Sequence, residues 1–333
     1  MTRLPSYVQI EPVGQCNLRC QMCPIQFRQD GPPYGPLAFM EWETFTRLID
    51  GFPTLERLHL QGLGEPMMHP RFFDMVSYAA RKGIWVSTNT NFTLLNTNRA
   101  ERCVTCGLDE LHISIDGATA ETYERIRLRA SFDRIVRNLD LLLSARERLS
   151  NEKPRLQMVM VIMRQNLEEL PDLVRLAHRW SMESIFVQHL CHDFGESTLP
   201  EQYGPMRDFV QEQTLLEEEP ERIERHFGQA RAVAQELGID LRLPRTRPRL
   251  HPPGTPGRER CDWPWTGAYV SYQGYAMPCC MVSTPDRIHL GNMAQAGVES
   301  IWNGTAYRDF RNRLDSEEPP EICRSCSIYR GTF

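Results

Sequence analysis

Alternation constrains this chain most. Six apolar runs, at 7–13, 57–62, 84–91, 110–117, 155–163 and 184–190, read as strands. Helical patterns separate them at 41–52, 71–83, 94–106, 131–149 and 167–180. In the longest of these, Ile135, Leu139 and Leu142 share a face, with Phe132 one turn earlier. Near-continuously apolar strands alternating with helices predict an α/β fold, a parallel sheet covered by helices. The pattern holds over roughly 180 residues, about one domain. Active sites of such sheets lie at the C-terminal ends of the strands. Cys16, Glu65, Asn89, Asp116, Asn166 and Cys191 all fall at or just beyond such ends.

Composition narrows the class. The 333 residues carry a formal charge of -5, which gives no electrostatic footprint for nucleic acid. No apolar run approaches the length of a membrane span, and the N-terminus lacks a basic segment followed by an apolar one. The expectation is a cytoplasmic protein with reduced thiols, in which clustered cysteines hold metal more often than they form disulfides. The eleven cysteines crowd at two ends. Cys16, Cys20 and Cys23 lie in "GQCNLRCQMCP", and Cys261, Cys279, Cys280, Cys323 and Cys326 lie in the last quarter.

The first trio admits several readings: buried cysteines, zinc with a fourth ligand elsewhere, or an iron–sulfur cube held by three thiolates with one iron open. Structural zinc closes with four ligands, whereas soft thiolates suit iron–sulfur clusters.

"CNLRCQMC", following a strand that opens a sixfold β/α repeat, resembles the signature of the radical S-adenosylmethionine (SAM) enzymes. The resemblance implies a partial (β/α)6 radical SAM barrel and a 4Fe–4S cluster held by Cys16, Cys20 and Cys23. It further implies reductive cleavage of SAM to a 5′-deoxyadenosyl radical, fed by an external electron donor of the flavodoxin or ferredoxin type. Met22 takes the position beside the adenine. "GLGEP" (62–66) resembles the family's Gly-Gly-Glu-Pro motif at the SAM amino group, with Gly64 and Glu65 matching and Leu63 replacing the first glycine. "STN" and "SIDG" resemble the strand tips near the ribose and methionyl part, which implicates Asn89, Ser114 as the ribose contact, and Asp116 toward SAM or substrate. Arg127, in "YERIR", resembles a basic residue reaching the SAM carboxylate. The family's fifth-strand glycine motif is not recognisable in "MVMVIMRQN", and Gln188 is assigned to the adenine instead.

A proline-rich stretch, "LPRTRPRLHPPGTPGRER" (243–260), reads as a boundary loop after a charged helix at 215–238. The expected organisation is a barrel over 1–240, a connector over 241–260 and a small C-terminal domain over 261–333. In the last, "AYVSYQGYAM" alternates around Gln273–Gly274 like a hairpin, and 298–314 reads as one helix. Cys261, Cys279, Cys323 and Cys326 can complete a four-thiolate site, and a terminal C-x-x-C with two distant cysteines also suits structural zinc. Their arrangement resembles the auxiliary-cluster region of the SPASM/twitch branch, in the four-cysteine form that holds one auxiliary 4Fe–4S cluster. Cys280 is either an alternative ligand to Cys279 or free.

Cys103 and Cys106 fall late in an outer helix and read as buried small hydrophobes. Cys191 directly follows the sixth strand and is expected to face the cavity. A thiol S–H bond is weak, so Cys191 or Cys280 can return a hydrogen atom to a carbon radical. Asp193, with His192 and Glu196, is a candidate base or substrate contact. Three reactions follow: epimerisation of a small carbohydrate- or aminocyclitol-like substrate, its dehydrogenation with electron transfer to the auxiliary cluster, or crosslinking of a peptide. Many peptide maturases of this branch carry an N-terminal leader-binding domain. Only fifteen residues precede Cys16, which favours the small molecule.

Overall fold

The computed structural model describes residues 2–31, 35–190, 194–247, 261–282 and 284–332. Its strands are β1 (Tyr7–Ile10), β2 (Arg19–Cys20), β3 (Arg57–Leu60), β4 (Trp85–Thr90), β5 (Glu110–Ser114), β6 (Arg127–Leu128), β7 (Arg155–Val161), β8 (Ser184–Gln188), β9 (Asp240–Arg242), β10 (Gly267–Val270) and β11 (Ala276–Met277). Helices α1 (Trp42–Asp50), α2 (Phe72–Arg81), α3 (Thr97–Thr105), α4 (Ala120–Ile126), α5 (Phe132–Arg148), α6 (Leu170–Arg179), α7 (Gly204–Gln213) and α8 (Pro220–Leu237) connect them.

One sheet of nine strands runs in the order β11-β10-β1-β3-β4-β5-β7-β8-β9. The six predicted strands form its centre, all parallel. Helices cover the outside because one stripe of each is apolar. On α5, Ile135, Leu139 and Leu142 are fully buried, each burial stabilising the fold by about 1.5–3 kcal/mol. Local signals agree with this packing. Asn96 Oδ1 accepts from Arg99 N at the start of α3, and Thr119 Oγ1 accepts from Thr122 N at the start of α4. The early proline of the helical pattern at 167–180, Pro171, sits in the first turn of α6, where no N–H is missed.

The C-terminal unit is joined to the barrel. Strand β10 pairs parallel with β1, from Tyr7–Gly267 to Ile10–Val270, and then turns back into antiparallel β11. The hairpin read from sequence therefore extends the barrel's own sheet. At the other edge β9 carries the sheet two residues past the expected boundary at 240. Most of the connector, 248–260, lies outside the described residues. Helix α9 (Trp263–Thr266) precedes β10, and beyond β11 come α10 (Met293–Ala296), α11 (Val298–Trp302), α12 (Thr305–Asp315) and α13 (Glu321–Arg324). The single helix expected over 298–314 is two, parted at Asn303–Gly304. There a Cβ on residue 304 would lie 2.9 Å from Ser300 O.

Candidate active site

The loop after β1 carries the three leading cysteines, and backbone pairing fixes its path. Its residues Arg19 and Cys20 form β2, which pairs antiparallel with β6 so that Cys20 stands opposite Arg127. Cys23 N donates to Cys20 O at 3.1 Å. Donors converge on the sulfurs: Leu18 N lies 3.4 Å and Asn91 Nδ2 3.5 Å from Cys16 Sγ, and Arg127 Nη1 lies 3.9 Å from Cys20 Sγ. Burial pushes all three thiols up, Cys20 to about 12 despite the opposing Arg127 charge. Thiolates at such depth need a cationic partner. All three thiols line one cavity, and among the described residues no three His, Cys, Asp or Glu side chains close on a point as they would around a single ion. Three soft donors around a space, with N–H groups aimed at the sulfur, fit an iron–sulfur cluster.

A buried ion network anchors the loop's far end. Arg28 is bidentate to Glu11, at 2.7 and 3.1 Å, and bonds Asp30 at 2.8 Å. Glu11 also accepts from Leu63 N at 3.1 Å, and Tyr272 O–H donates to Asp30 O. One guanidinium thus ties together the cluster loop, the tip of β1, the "GLGEP" loop and the C-terminal hairpin.

The "GLGEP" loop lies against the cluster loop at contact distance. A Cβ on Gly64 would sit 1.9 Å from Val13 O and 2.7 Å from Gln15 O, so only glycine fits. Glu65 is buried and accepts from Thr90 Oγ1 and Asn91 N, each at 2.7 Å, and from Met67 N at 3.1 Å. These bonds offset part of the burial that pushes its carboxyl up. Asn91, absent from the expected site, links Glu65, Cys16 and Asn17. Ser114 Oγ donates to Asn89 Oδ1 at 2.9 Å, and both line the cavity with Met22, Arg127 and Gln188.

Asp116 departs from its expected role. Its side chain is fully buried, with Oδ2 2.6 Å from Arg127 Nε and Oδ1 accepting from Val161 N at 2.8 Å. It orients Arg127 from behind and does not itself line the cavity. Asn166 is likewise consumed, its amide donating to Asp116 O and Val161 O. Glu196 is not a substrate contact either: it is buried against Arg287, whose Nε donates to it at 2.9 Å. This pair fastens the loop after β8 to the C-terminal unit. Cys191, His192 and Asp193 lie outside the described residues. Cys103 is fully buried in the core and Cys106 half-buried beside it.

The last five cysteines separate into two environments. Burial pushes up Cys279, and the neighbouring Cys326 and Cys261 add to it. Cys323 feels Cys279, Cys326 and Cys261 together. Four thiols therefore share one buried neighbourhood, a donor set that fits an auxiliary cluster. Cys280 faces instead into the cavity, beside Tyr7 and Trp263.

The cavity, about 470 Å³, runs from the leading cysteines to Cys280 through the barrel interior. Its middle is polar, which the apolar reading of the strands missed. His59 Nδ1 lies 2.7 Å from Ser87 Oγ and its Nε2 faces Gln61 Oε1. With the amide oxygen accepting from Nε2–H, Nδ1 accepts from the serine. Burial first, then His112, pushes His59 down to about 3, so it is neutral. The His112 ring stands 5.3 Å away, its Nε2 3.1 Å from Glu110 Oε2. The alternation of Gln9 and Glu11, His59 and Gln61, and Glu110, His112 and Ser114 along the strands was the available signal.

The radical SAM superfamily model matches residues 10–177, and the SPASM iron–sulfur cluster-binding domain model matches 261–327. The chain belongs to the radical SAM superfamily. Within it, the second domain places the chain in the SPASM/twitch branch, for which SAM and 4Fe–4S clusters are the implied cofactors. An AdoMet-dependent heme synthase of Methanosarcina barkeri is 26% identical over 98% of this chain and 89% of its own. A PqqA peptide cyclase of Xanthomonas euvesicatoria is 25% identical over 97% and 80%. Other curated relatives align over about half their length, 51% and 42%. The Streptococcus suis SuiB structure bound to precursor peptide SuiA superposes with a TM-score of 0.66 at 12% identity, over 99% of this chain and 71% of that one, and so shares the fold. Among the described residues no helix is long and apolar enough to cross a membrane.

Proposed function

We propose that this chain modifies an amino-acid side chain of a peptide by radical chemistry, with net loss of hydrogen. The observation that carries the reading is the continuous cavity between the leading cysteines and the C-terminal unit. It reaches Arg57, Trp85 and Glu110, the first residues of β3, β4 and β5, and so extends to the end of the barrel opposite the cluster loop. A side chain entering there passes the polar girdle of His59, His112 and Gln61 before it meets the SAM end. When bound, SAM and its cluster supply a 5′-deoxyadenosyl radical that removes one hydrogen atom. The chain's own residues hold the peptide, with Glu110 and His112 placed to accept a proton from it. Cys261, Cys279, Cys323 and Cys326 would hold the auxiliary cluster that takes up the one remaining electron, so that hydrogen atom, proton and electron together account for the two hydrogens lost. Arg127 and the "GLGEP" loop hold SAM. The full-length likeness to a peptide cyclase supports this reading over the small-molecule one favoured by the sequence.

A small-molecule reading keeps one observation of its own: the Cys280 thiol lines the cavity, where it can return a hydrogen atom. An anaerobic assay in D2O separates the two, using reconstituted protein, SAM, dithionite, a pool of precursor-type peptides and a pool of sugars and aminocyclitols. A peptide lighter by two hydrogens supports the proposal. A sugar-like product with one carbon-bound deuterium, and no change in any peptide, overturns it.

A further inference from the structure

The cavity wall at the SAM end is built partly from the segment between β8 and α7. Leu190 and Phe194 of that segment, with Met206 and Val210 of α7, line the cavity together with Met22 and the leading cysteines. These four residues belong to a hydrophobic cluster separate from the main core, and Met22 and Phe27 of the cluster loop pack against it. Phe194 is the constrained member. It is buried, yet its φ is 54°, a conformation that a phenylalanine keeps only where its surroundings impose it. Two contacts do so. The Arg287 guanidinium lies over the ring at 4.6 Å, and the Tyr203 ring stacks on it at 6.1 Å and 16°.

Both contacts lead to the C-terminal unit. Arg287 follows Cys279 by eight residues, and its Nε donates to the buried Glu196 carboxylate at 2.9 Å. Tyr203 O–H donates to Asp286 Oδ2 at 3.0 Å. A third tie joins Ser197 to Glu321, two residues before Cys323: Ser197 N and Oγ donate to its carboxylate at 2.7 and 2.8 Å. The segments that carry the auxiliary thiols therefore brace one wall of the SAM pocket from behind. We propose that Arg287 is a positioning residue of the SAM site: it fixes Phe194 in the cavity wall, so that the loops of the auxiliary site set the affinity for SAM. A desolvated cation over an aromatic face holds the ring in one orientation, and Glu196 keeps the guanidinium in place. Coupling between two sites is reciprocal, so bound SAM favours the arrangement of the Cys279 and Cys323 loops that the auxiliary site needs. The inference rests on SAM binding alone and is independent of the peptide reading.

The test measures SAM binding to the intact, reconstituted protein by anaerobic equilibrium dialysis. The variants are R287M/E196Q, Phe194→Ala and the three changes combined. Removing both ends of the buried pair leaves no lone charge in the wall. SAM should bind about tenfold more weakly to R287M/E196Q and to Phe194→Ala. The combined variant should also lose about tenfold, rather than about a hundredfold, because the arginine acts through the ring. Iron content and the thermal midpoint without SAM stay at the wild-type values in R287M/E196Q. Cys323→Ala, which disables the auxiliary site, weakens SAM binding in the same direction. Wild-type affinity in R287M/E196Q, or losses that multiply in the combined variant, overturns the proposal. So does loss of iron or early unfolding in R287M/E196Q, which makes the pair a structural one, and so does undiminished SAM binding by Cys323→Ala. A wild type that binds no SAM overturns it outright.

Discussion

Arg127 bridges Cys20 and Asp116: its Nη1 lies 3.9 Å from the Cys20 sulfur and its Nε 2.6 Å from the Asp116 carboxylate. All three side chains are at least largely buried. Burial pushes Asp116 up, and the guanidinium opposes that shift. The resemblance assigned Arg127 to the SAM carboxylate and Asp116 to SAM or substrate, but packing makes one the support of the other.

Arg127→Met should therefore cost about 3–5 kcal/mol, because it leaves the Asp116 carboxylate buried and unpaired. Arg127→Met combined with Asp116→Asn should recover much of that stability while leaving SAM affinity lost. Urea unfolding and SAM-binding titrations of the three variants check this. Additive losses in stability would show that the pair is not coupled.

Gly64→Ala should abolish SAM binding, since the new methyl meets Val13 O at 1.9 Å and two backbones must separate. An opposite outcome is expected at Gly228, an exposed position inside α8 with nothing within 4 Å of an added Cβ. There Gly228→Ala should stabilise by about 0.5–1 kcal/mol. Thermal unfolding of the two variants, with SAM titration, distinguishes a fold effect from a site effect.

Much of this was legible in sequence because it is local. Strand and helix periods, the cysteine spacing and the "GLGEP" glycine each depend on a few neighbouring residues. What was not legible depends on distant chain segments. Glu11, Arg28 and Tyr272 meet across some 240–260 positions, and nothing in "VQIEP" says that its glutamate will find an arginine in the next loop. Glu196 read as a candidate base or substrate contact until Arg287 reached it. The pairing of β10 with β1 was equally hidden, because a hairpin's alternation does not reveal which sheet edge it joins. His59 and His112 were missed for a different reason: the apolar residues on either side of each, Leu58 and Leu60, Leu111 and Ile113, outweighed a period of two.

Cys279→Ala and Cys280→Ala should differ in metal content. Cys279 shares its surroundings with Cys261, Cys323 and Cys326, whereas Cys280 lines the cavity. Reconstituted Cys279→Ala should lose iron and sulfide to about the level of one cluster, while Cys280→Ala keeps the wild-type amount. Iron and sulfide analysis, with spectra of the reduced clusters, reads the difference. Equal losses in both would mean that the adjacent thiols exchange roles.

His59 makes stability depend on pH in a defined direction. Its folded value, about 3, lies below the ordinary histidine value of 6.5, because burial between Ser87, Gln61 and His112 disfavours the charged ring. Below pH 6.5 the unfolded chain binds a proton there that the folded chain does not. Stability is then full above that pH and falls as pH drops through the window from 6.5 toward 3, by up to about 1.4 kcal/mol per unit. His59→Gln removes this contribution, so its urea midpoint should fall less steeply between pH 6.5 and 5 than that of the wild type. His69 and His189, also held down by burial, give a residual slope of the same sign in both proteins. Parallel pH profiles for the two proteins would mean that His59 takes up its proton inside the folded barrel, and that the polar girdle is wetter than its packing indicates.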